Sequence, residues 1–211
     1  MERIKSLQKE LNKKSIQSVL ITSKPNLRYF SNFEGSKGYL LVTQKRAVFL
    51  TDFRYTELAR KCVPKGVTVV DIGRKMANWE KVLSKYKIKE IGIEDDAMTL
   101  LQYKSLRKVS KGIKFKKTYP LLLKIREKKS EKEILQLTKS QALNEKVLGT
   151  VIKKFVRPGV TEKATAWEIE KVARELGAEK LAFSPIVAFG KNSSMPHAQP
   201  SDKKLKKGDT I

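Results

Sequence analysis

Apolar positions in the first 119 residues follow two patterns that alternate along the chain. Short contiguous apolar runs are typical of buried strands, whereas apolar residues that recur every three or four positions are typical of amphipathic helices. The runs predict strands at residues 18–22, 38–43, 46–51, 67–71, 91–94 and 113–115, with a hairpin between the second and third. The periodic segments predict helices at residues 2–14, 25–30, 53–61, 77–86 and 99–109. Strands that alternate with helices favour an α/β layer domain, here with a mixed sheet.

The pattern changes after Pro120. An apolar stretch, Leu121–Ile125, follows; it is too apolar for a flexible linker, so we expect it to dock on the next domain. We therefore predict a boundary near residues 120–130, with an α/β domain at residues 1–122 and a second domain at residues 123–211.

Two helices are predicted in the second domain from the signals at their ends. Ser130 and Glu133 form a capping-box pattern that begins the first helix, and Pro158-Gly159 ends it. Thr161 can cap the second helix, and Gly177 ends that helix. Near one face of the first helix lie Ile134, Leu137, Gln141, Leu148 and Ile152.

Charge and cysteine content narrow the classes of function. The chain has 46 Lys and Arg against 22 Asp and Glu, a formal net charge of +24. The excess is spread along the chain and lacks interleaved aromatic residues, so it predicts non-specific attraction to polyanions and no specific nucleic-acid partner.

The single cysteine, Cys62, excludes a disulfide framework and a zinc site built on several of the chain's own thiolates. Because no apolar run reaches membrane-spanning length and no signal peptide is recognisable, we expect a cytoplasmic protein without a membrane partner.

His197 is the only histidine, and it lies in a polar loop directly after a strand-like apolar run at residues 183–190. Loops of this kind commonly carry site residues, so His197 is a candidate for acid–base chemistry.

A serine hydrolase is disfavoured because no nucleophile elbow or orienting acid is recognisable. The triplet Glu94-Asp95-Asp96 could hold a metal, but adjacent acids at a strand end are more typical of a turn or a helix cap. On the residues alone, the chain is a two-domain α/β protein without a complete catalytic set.

Four segments, in order along the chain, resemble one family. They are Pro25–Val42 with Phe49–Ala59, then Leu123–Glu133, then Arg157–Glu162 with Trp167–Glu170, and then Phe183–Gly190, Pro196–Ala198 and Leu205–Asp209. Together they resemble Xaa-Pro aminopeptidases and Xaa-Pro dipeptidases (prolidases), which are peptidases with two metal ions. The resemblance implies a creatinase-like N-terminal α/β domain followed by an incomplete α+β pita-bread domain.

The resemblance also implies roles for particular residues. His197 matches the family histidine that binds substrate beside the metals and assists proton movement. Phe183 matches an apolar residue that lines the substrate pocket. Asp52, Arg54 and Tyr55 match a signature of the N-terminal domain, which we interpret as an internal ion pair and packing.

The same resemblance implies a metal centre whose ligands this chain lacks. The family holds two divalent ions of the manganese or cobalt type. Their ligands are two Asp, one His and two Glu, all of which lie downstream of the position that matches Gly208-Asp209. Asp209 itself matches a turn position and not a ligand. We therefore expect no metal in this chain and no activity from it alone. The chain is expected to be the N-terminal portion of a homodimeric peptidase that cleaves the bond preceding proline in peptide substrates. The alternative is a non-enzymatic binding module with an acidic or nucleic-acid partner.

Overall fold

The computed structural model describes residues 1–73 and 76–211. The chain divides into two compact units, Met1–Lys128 (unit 1) and Lys129–Ile211 (unit 2). The assignment of residues 1–122 and 123–211 to two functional domains stays a prediction.

Unit 1 is built on a six-stranded mixed sheet. Its strands are β1 (Ser18–Ile21), β2 (Tyr39–Thr43), β3 (Ala47–Thr51), β4 (Thr68–Asp71), β5 (Glu90–Ile93) and β6 (Lys114–Lys117). Its helices are α1 (Glu2–Lys13), α2 (Lys24–Ser31), α3 (Thr56–Cys62), α4 (Trp79–Lys85), α5 (Leu100–Val109) and α6 (Tyr119–Glu127). The strand order is β4-β3-β2-β1-β5-β6, with β2 antiparallel to β1 and β3 and all other neighbours parallel. The predicted α/β fold with a mixed sheet and a hairpin is confirmed.

The central strands are buried on both faces, which explains why the sequence shows them as contiguous apolar runs. Successive residues of a strand point to opposite faces of the sheet. In β1, Val19 and Ile21 join the core beneath α1, α2 and α6, whereas Leu20 joins the core beneath α4 and α5. In β3, Phe49 belongs to the first core and Val48 to the second. The sheet therefore separates two apolar layers.

The apolar stretch at residues 121–125 lies in α6 and packs on unit 1. Leu121 and Leu122 are buried in the same core as the apolar face of α1. The start of the helix is fixed by Asp95, whose Oδ1 accepts the amide hydrogen of Thr118 at 3.0 Å. Leu121, Leu122 and Ile125 therefore complete the core of unit 1. The expectation that the stretch docks on the following domain stays a prediction.

Unit 2 contains the helices α7 (Glu131–Lys154) and α8 (Glu162–Glu175) and a 3₁₀ helix, Gly190–Ser194. The predicted caps are confirmed, because Ser130 and Glu133 form a reciprocal capping box and Thr161 Oγ1 accepts the amide hydrogen of Ala164. The core between α7 and α8 consists of Val147, Val151, Val172 and Ala173.

The predicted apolar face of α7 is exposed. Its exposed members are Ile134, Leu137, Leu148 and Ile152. The helix is held through a neighbouring face, where Val147 and Val151 contact α8. No helix in the two described ranges is both long enough and apolar enough to span a membrane.

Residues 183–190 form no strand in the described structure, contrary to the prediction. A strand requires a ladder of backbone hydrogen bonds, and here the ladder is reduced to the Gly190 amide donating to the Thr210 carbonyl at 2.8 Å. Val187 and Phe189 are nevertheless buried, and they share a small core with Leu205. Side-chain burial, not sheet pairing, holds this segment in place.

Candidate functional site

The segment that carries His197 is fastened to the first residue of α8, Glu162. The side chain of Glu162 is fully buried. Its Oε1 accepts the Phe189 amide hydrogen at 2.8 Å and a hydrogen from Asn192 Nδ2 at 2.9 Å. Its Oε2 accepts the Ser201 amide hydrogen at 2.9 Å and the Ser201 hydroxyl hydrogen. One carboxylate therefore binds both ends of the segment 189–201.

The protonation state of Glu162 follows from these contacts. Burial on its own raises the pKa of a carboxyl group. Hydrogen bonds from Ser201, the Phe189 amide and Asn192 outweigh burial and lower the pKa of Glu162 to about 2. The carboxylate is therefore charged at neutral pH, which a buried acid tolerates only when its oxygens are well hydrogen-bonded.

Further contacts close the base of this loop. Lys203 Nζ donates to the Phe189 carbonyl, and Thr161 pairs with Lys204 in an isolated antiparallel bridge. Gly190 has φ +49, and a Cβ there would lie 2.7 Å from Asp209 Oδ1, so the chain requires glycine at this position. The other oxygen, Asp209 Oδ2, accepts the Lys206 amide hydrogen at 2.9 Å, as expected for a turn residue.

His197 is exposed between these two anchored ends. The next residue, Ala198, is buried, and its amide donates to the Met195 carbonyl at 3.1 Å. Within the described residues, the imidazole of His197 has no hydrogen-bond partner. The backbone is therefore held while both ring nitrogens remain open to a ligand.

Phe183 is 75% exposed. It lies outside the network of hydrogen bonds that Glu162 makes, which begins at Phe189. The structure thus presents two exposed side chains, Phe183 and His197, of which the second is on a fixed loop.

Glu162 was not singled out by the sequence. An acid at the first position of a helix is ordinarily a solvent-exposed group that favours the helix dipole. The partners of Glu162 lie 27, 30 and 39 positions further along the chain, so only the fold reveals its burial. The available signals are its place directly after the helix cap Thr161 and its position in the family-like segment Arg157–Glu162.

Two acids of the triplet after β5 stabilise the starts of two helices. Glu94 is fully buried and accepts hydrogen bonds from the amides and hydroxyls of Thr22 and Ser23 and from Asn26 Nδ2, all at the start of α2. Asp95 accepts the amide hydrogens at the start of α6. The interpretation of these acids as a turn or helix cap is confirmed.

The Asp52 signature forms an ion pair at the end of β3, as predicted. Arg54 donates from Nε to Asp52 Oδ1 at 3.0 Å and from Nη2 to Oδ2 at 2.8 Å, and Lys37 Nζ lies 3.6 Å from Oδ2. Hydrogen bonds from Arg54 lower the pKa of Asp52 to about 2, against the effect of burial. The Tyr55 hydroxyl contacts Ser36 Oγ. These contacts are structural.

Comparison with known proteins identifies the family. Residues 3–128 match the Creatinase/Prolidase N-terminal domain, and residues 136–211 match Metallopeptidase family M24. The chain belongs to the creatinase/prolidase family. The N-terminal domain match precedes the peptidase match along the chain, as expected from the order of the four segments that resemble the family.

Two curated relatives of this creatinase/prolidase chain match along its whole length. The uncharacterized peptidase YqhT of Bacillus subtilis is 33% identical over 212 residues, and the chain covers 59% of that protein. The Xaa-Pro dipeptidase of Pyrococcus horikoshii is 32% identical over 215 residues, and the chain covers 58% of it. The chain thus spans less than two thirds of the length of these relatives.

Solved structures agree with the fold. The Xaa-Pro dipeptidase from Bacillus anthracis superposes with a TM-score of 0.90 at 32% identity, over 99% of this chain and 58% of that one. The prolidase from Pyrococcus horikoshii superposes with a TM-score of 0.86 at 31% identity, over 99% and 58% respectively.

The match of residues 136–211 to Metallopeptidase family M24 raises the question of where a metal ion would bind. Within residues 1–73 and 76–211, no three His, Cys, Asp or Glu side chains converge in an arrangement that would hold one. The buried carboxylates Asp52, Glu94 and Glu162 already accept hydrogen bonds from donors of the fold. The described residues therefore do not fit a pair of metal ions.

Proposed function

We infer that this chain is the N-terminal portion of a metal-dependent Xaa-Pro peptidase, which hydrolyses the peptide bond preceding proline. The observation that carries the proposal is the agreement along the whole chain with a Xaa-Pro dipeptidase, combined with a fixed loop that exposes a single histidine. In this proposal the ligands of the divalent ions, of the manganese or cobalt type, belong to the remainder of the protein, and the chain alone has no activity.

His197 is the proposed catalytic residue of this chain. Its exposed imidazole can hydrogen-bond to the carbonyl of a peptide substrate or to the oxyanion formed from it, and it can transfer a proton. The Glu162 network supports this role because it fixes the loop while leaving both ring nitrogens open. Phe183 is proposed to contact the apolar part of the substrate, since an exposed phenylalanine ring offers a large apolar surface.

The remaining assignments follow from the same family. Residues 1–122 are proposed to form the creatinase-like domain and residues 123–211 the first part of a pita-bread domain. The full protein is proposed to be a cytoplasmic homodimer that acts on proline-containing peptides. The exposed apolar face of α7 supports the pita-bread assignment, because a helix of such a domain needs that face to cover a sheet.

The test is hydrolysis of Gly-Pro and Ala-Pro dipeptides by the protein of the complete reading frame, with manganese or cobalt supplied. We expect His197→Ala to lower kcat/KM by roughly 10²–10⁴ while metal content is unchanged. Gln199→Ala, an exposed change on the same loop, is the matched control and should leave turnover unchanged. His197→Gln separates the roles, because it would restore activity if the histidine served only to order its loop. Near-wild-type turnover in the alanine variant, or loss of metal together with activity, would contradict the proposed role.

A further inference from the structure

A basic cleft lies in unit 1, and none of its lining residues belongs to the unit that carries His197. It is formed at the start of β1 by two turns, the β2–β3 turn at residues 43–46 and the α4–β5 turn at residues 86–88. Its volume is about 390 Å³. Lys45 and Arg46 line one wall, and Lys85 and Lys87 line the other.

All charged residues that line this cleft are cations. No Asp or Glu is among the residues that line it. Within residues 1–73 and 76–211, none of Lys45, Arg46, Lys85 and Lys87 forms an ion pair with a carboxylate. Cations held close together without counter-charges repel one another, and an anion bound between them relieves that repulsion.

Two glutamine side chains hold the walls in position. Gln44 Nε2 donates to the Ile16 carbonyl at 3.1 Å, which ties the β2–β3 turn to the segment that leads into β1. Gln17 Nε2 donates to the Lys87 carbonyl at 2.9 Å, and Gln17 Oε1 accepts the amide hydrogens of Lys89 and Glu90. Because both turns are fastened to adjacent residues, the cleft is formed before any ligand arrives, and binding need not order its backbone.

We propose that this cleft binds a condensed phosphate, a chain of several linked phosphate groups, through these four cations. Linked phosphates concentrate several negative charges in a volume that the cleft can hold, and the guanidinium of Arg46 suits paired phosphate oxygens. A nucleic-acid strand fits less well, because stacking of successive bases needs a row of aromatic side chains. Among the residues that line the cleft, all of them described, Tyr86 is the single aromatic one.

The test measures binding of inorganic tripolyphosphate to this chain by calorimetry at moderate salt. We expect saturable binding with one site, and a loss of affinity of at least roughly tenfold in the double variant Lys45→Gln and Lys85→Gln. The matched control is the double variant Lys139→Gln and Lys146→Gln on the exposed surface of α7, which removes the same charge. Binding without saturation, or an equal loss in both double variants, would overturn the proposal in favour of general charge attraction.

Two further ligands distinguish the source of the phosphate. Equal affinity for tripolyphosphate and a nucleoside triphosphate would support recognition of the phosphates alone, and tighter binding of the nucleotide would support a nucleoside polyphosphate. Tighter binding of inorganic tripolyphosphate would support an inorganic chain. A single-stranded RNA that bound more tightly than either, and lost affinity in the cleft variant, would overturn the proposal.

Discussion

Replacement of Glu162 should release the loop that carries His197. Alanine removes the carboxylate and leaves the donors of Phe189, Asn192 and Ser201 without their acceptor. Glutamine keeps the size of the side chain and one carbonyl oxygen, which can still accept from Phe189 and Asn192. Its amide group, however, would bring a donor against the Ser201 amide, which is also a donor.

The expected loss of stability follows from these contacts. A hydrogen bond to a charged group contributes about 1.5–3 kcal/mol, and removal of the acceptor leaves buried donors unpaired. The donors on Asn192 and Ser201 are only partly buried and can turn to water, whereas the Phe189 amide belongs to a fully buried residue. We therefore expect a loss of about 3–5 kcal/mol for Glu162→Ala, the sum of roughly one hydrogen bond to a charged group and one unpaired buried amide, and of about 1–3 kcal/mol for Glu162→Gln.

Amide hydrogen exchange and urea unfolding test whether Glu162→Ala loses more stability than Glu162→Gln. Protection of the Phe189 and Ser201 amides should fall in Glu162→Ala, and the imidazole signals of His197, the only histidine, should report a more mobile ring. Glu175→Gln is the matched control, because it makes the same change at an exposed position at the end of α8. Unchanged protection of Phe189 in the alanine variant would refute the reasoning, as would an equal loss in the control.

The Glu162 carboxylate also makes the free energy of unfolding depend on pH. The folded-state pKa of Glu162 is about 2, below its usual 4.5, so the stability it contributes is fully present above pH 4.5. That contribution is lost as the pH falls from 4.5 towards 2, because the unfolded chain takes up the proton first. The difference in unfolding free energy between the wild type and Glu162→Gln should therefore shrink over this range.

Three further predictions concern other parts of the chain. Asp52→Asn should remove the part of the acid sensitivity of unit 1 that lies between pH 3.8 and about 2, measured by unfolding at a series of pH values, since Arg54 lowers the pKa of Asp52. Ser110→Ala should lower the stability of unit 1 by about 1–3 kcal/mol, measured by urea unfolding, because the Nε1–H of the buried Trp79 donates to Ser110 Oγ at 2.7 Å. Leu137→Gln with Ile152→Gln should reduce self-association in sedimentation velocity, because both side chains are exposed on the apolar face of α7.

The central strands of unit 1 could be predicted because they are buried on both faces. Contiguous apolar runs such as those of β1 and β2 have no polar face to obscure them, and their alternation with periodic segments specifies layers. The packing partner of residues 121–125 could not be predicted, since a short apolar run does not reveal which surface it covers. Residues 183–190 resembled a strand for the same reason, although no neighbouring strand pairs with them in the described structure.

The candidate site was predictable only in part. His197 could be found because it is the single histidine of the chain and lies in a polar loop. The role of Glu162 in fixing that loop could not be predicted, because its burial depends on contacts with residues that are distant in the sequence. Local sequence indicates which side chains can do chemistry, while the groups that hold them are determined by tertiary contacts.

Burial of acids adds to the basic character of the surface. Three acids, Asp52, Glu94 and Glu162, are buried, whereas no Lys or Arg within the described residues is. Glu94 and Glu162 are satisfied by neutral donors, so they neutralise no surface cation. The fold thus withdraws negative charge from the surface of a chain that already has 46 basic residues against 22 acidic ones. The cleft in unit 1 is lined only by cations and neutral residues. Its use for phosphate depends on whether the position of those cations, beyond their number, determines affinity.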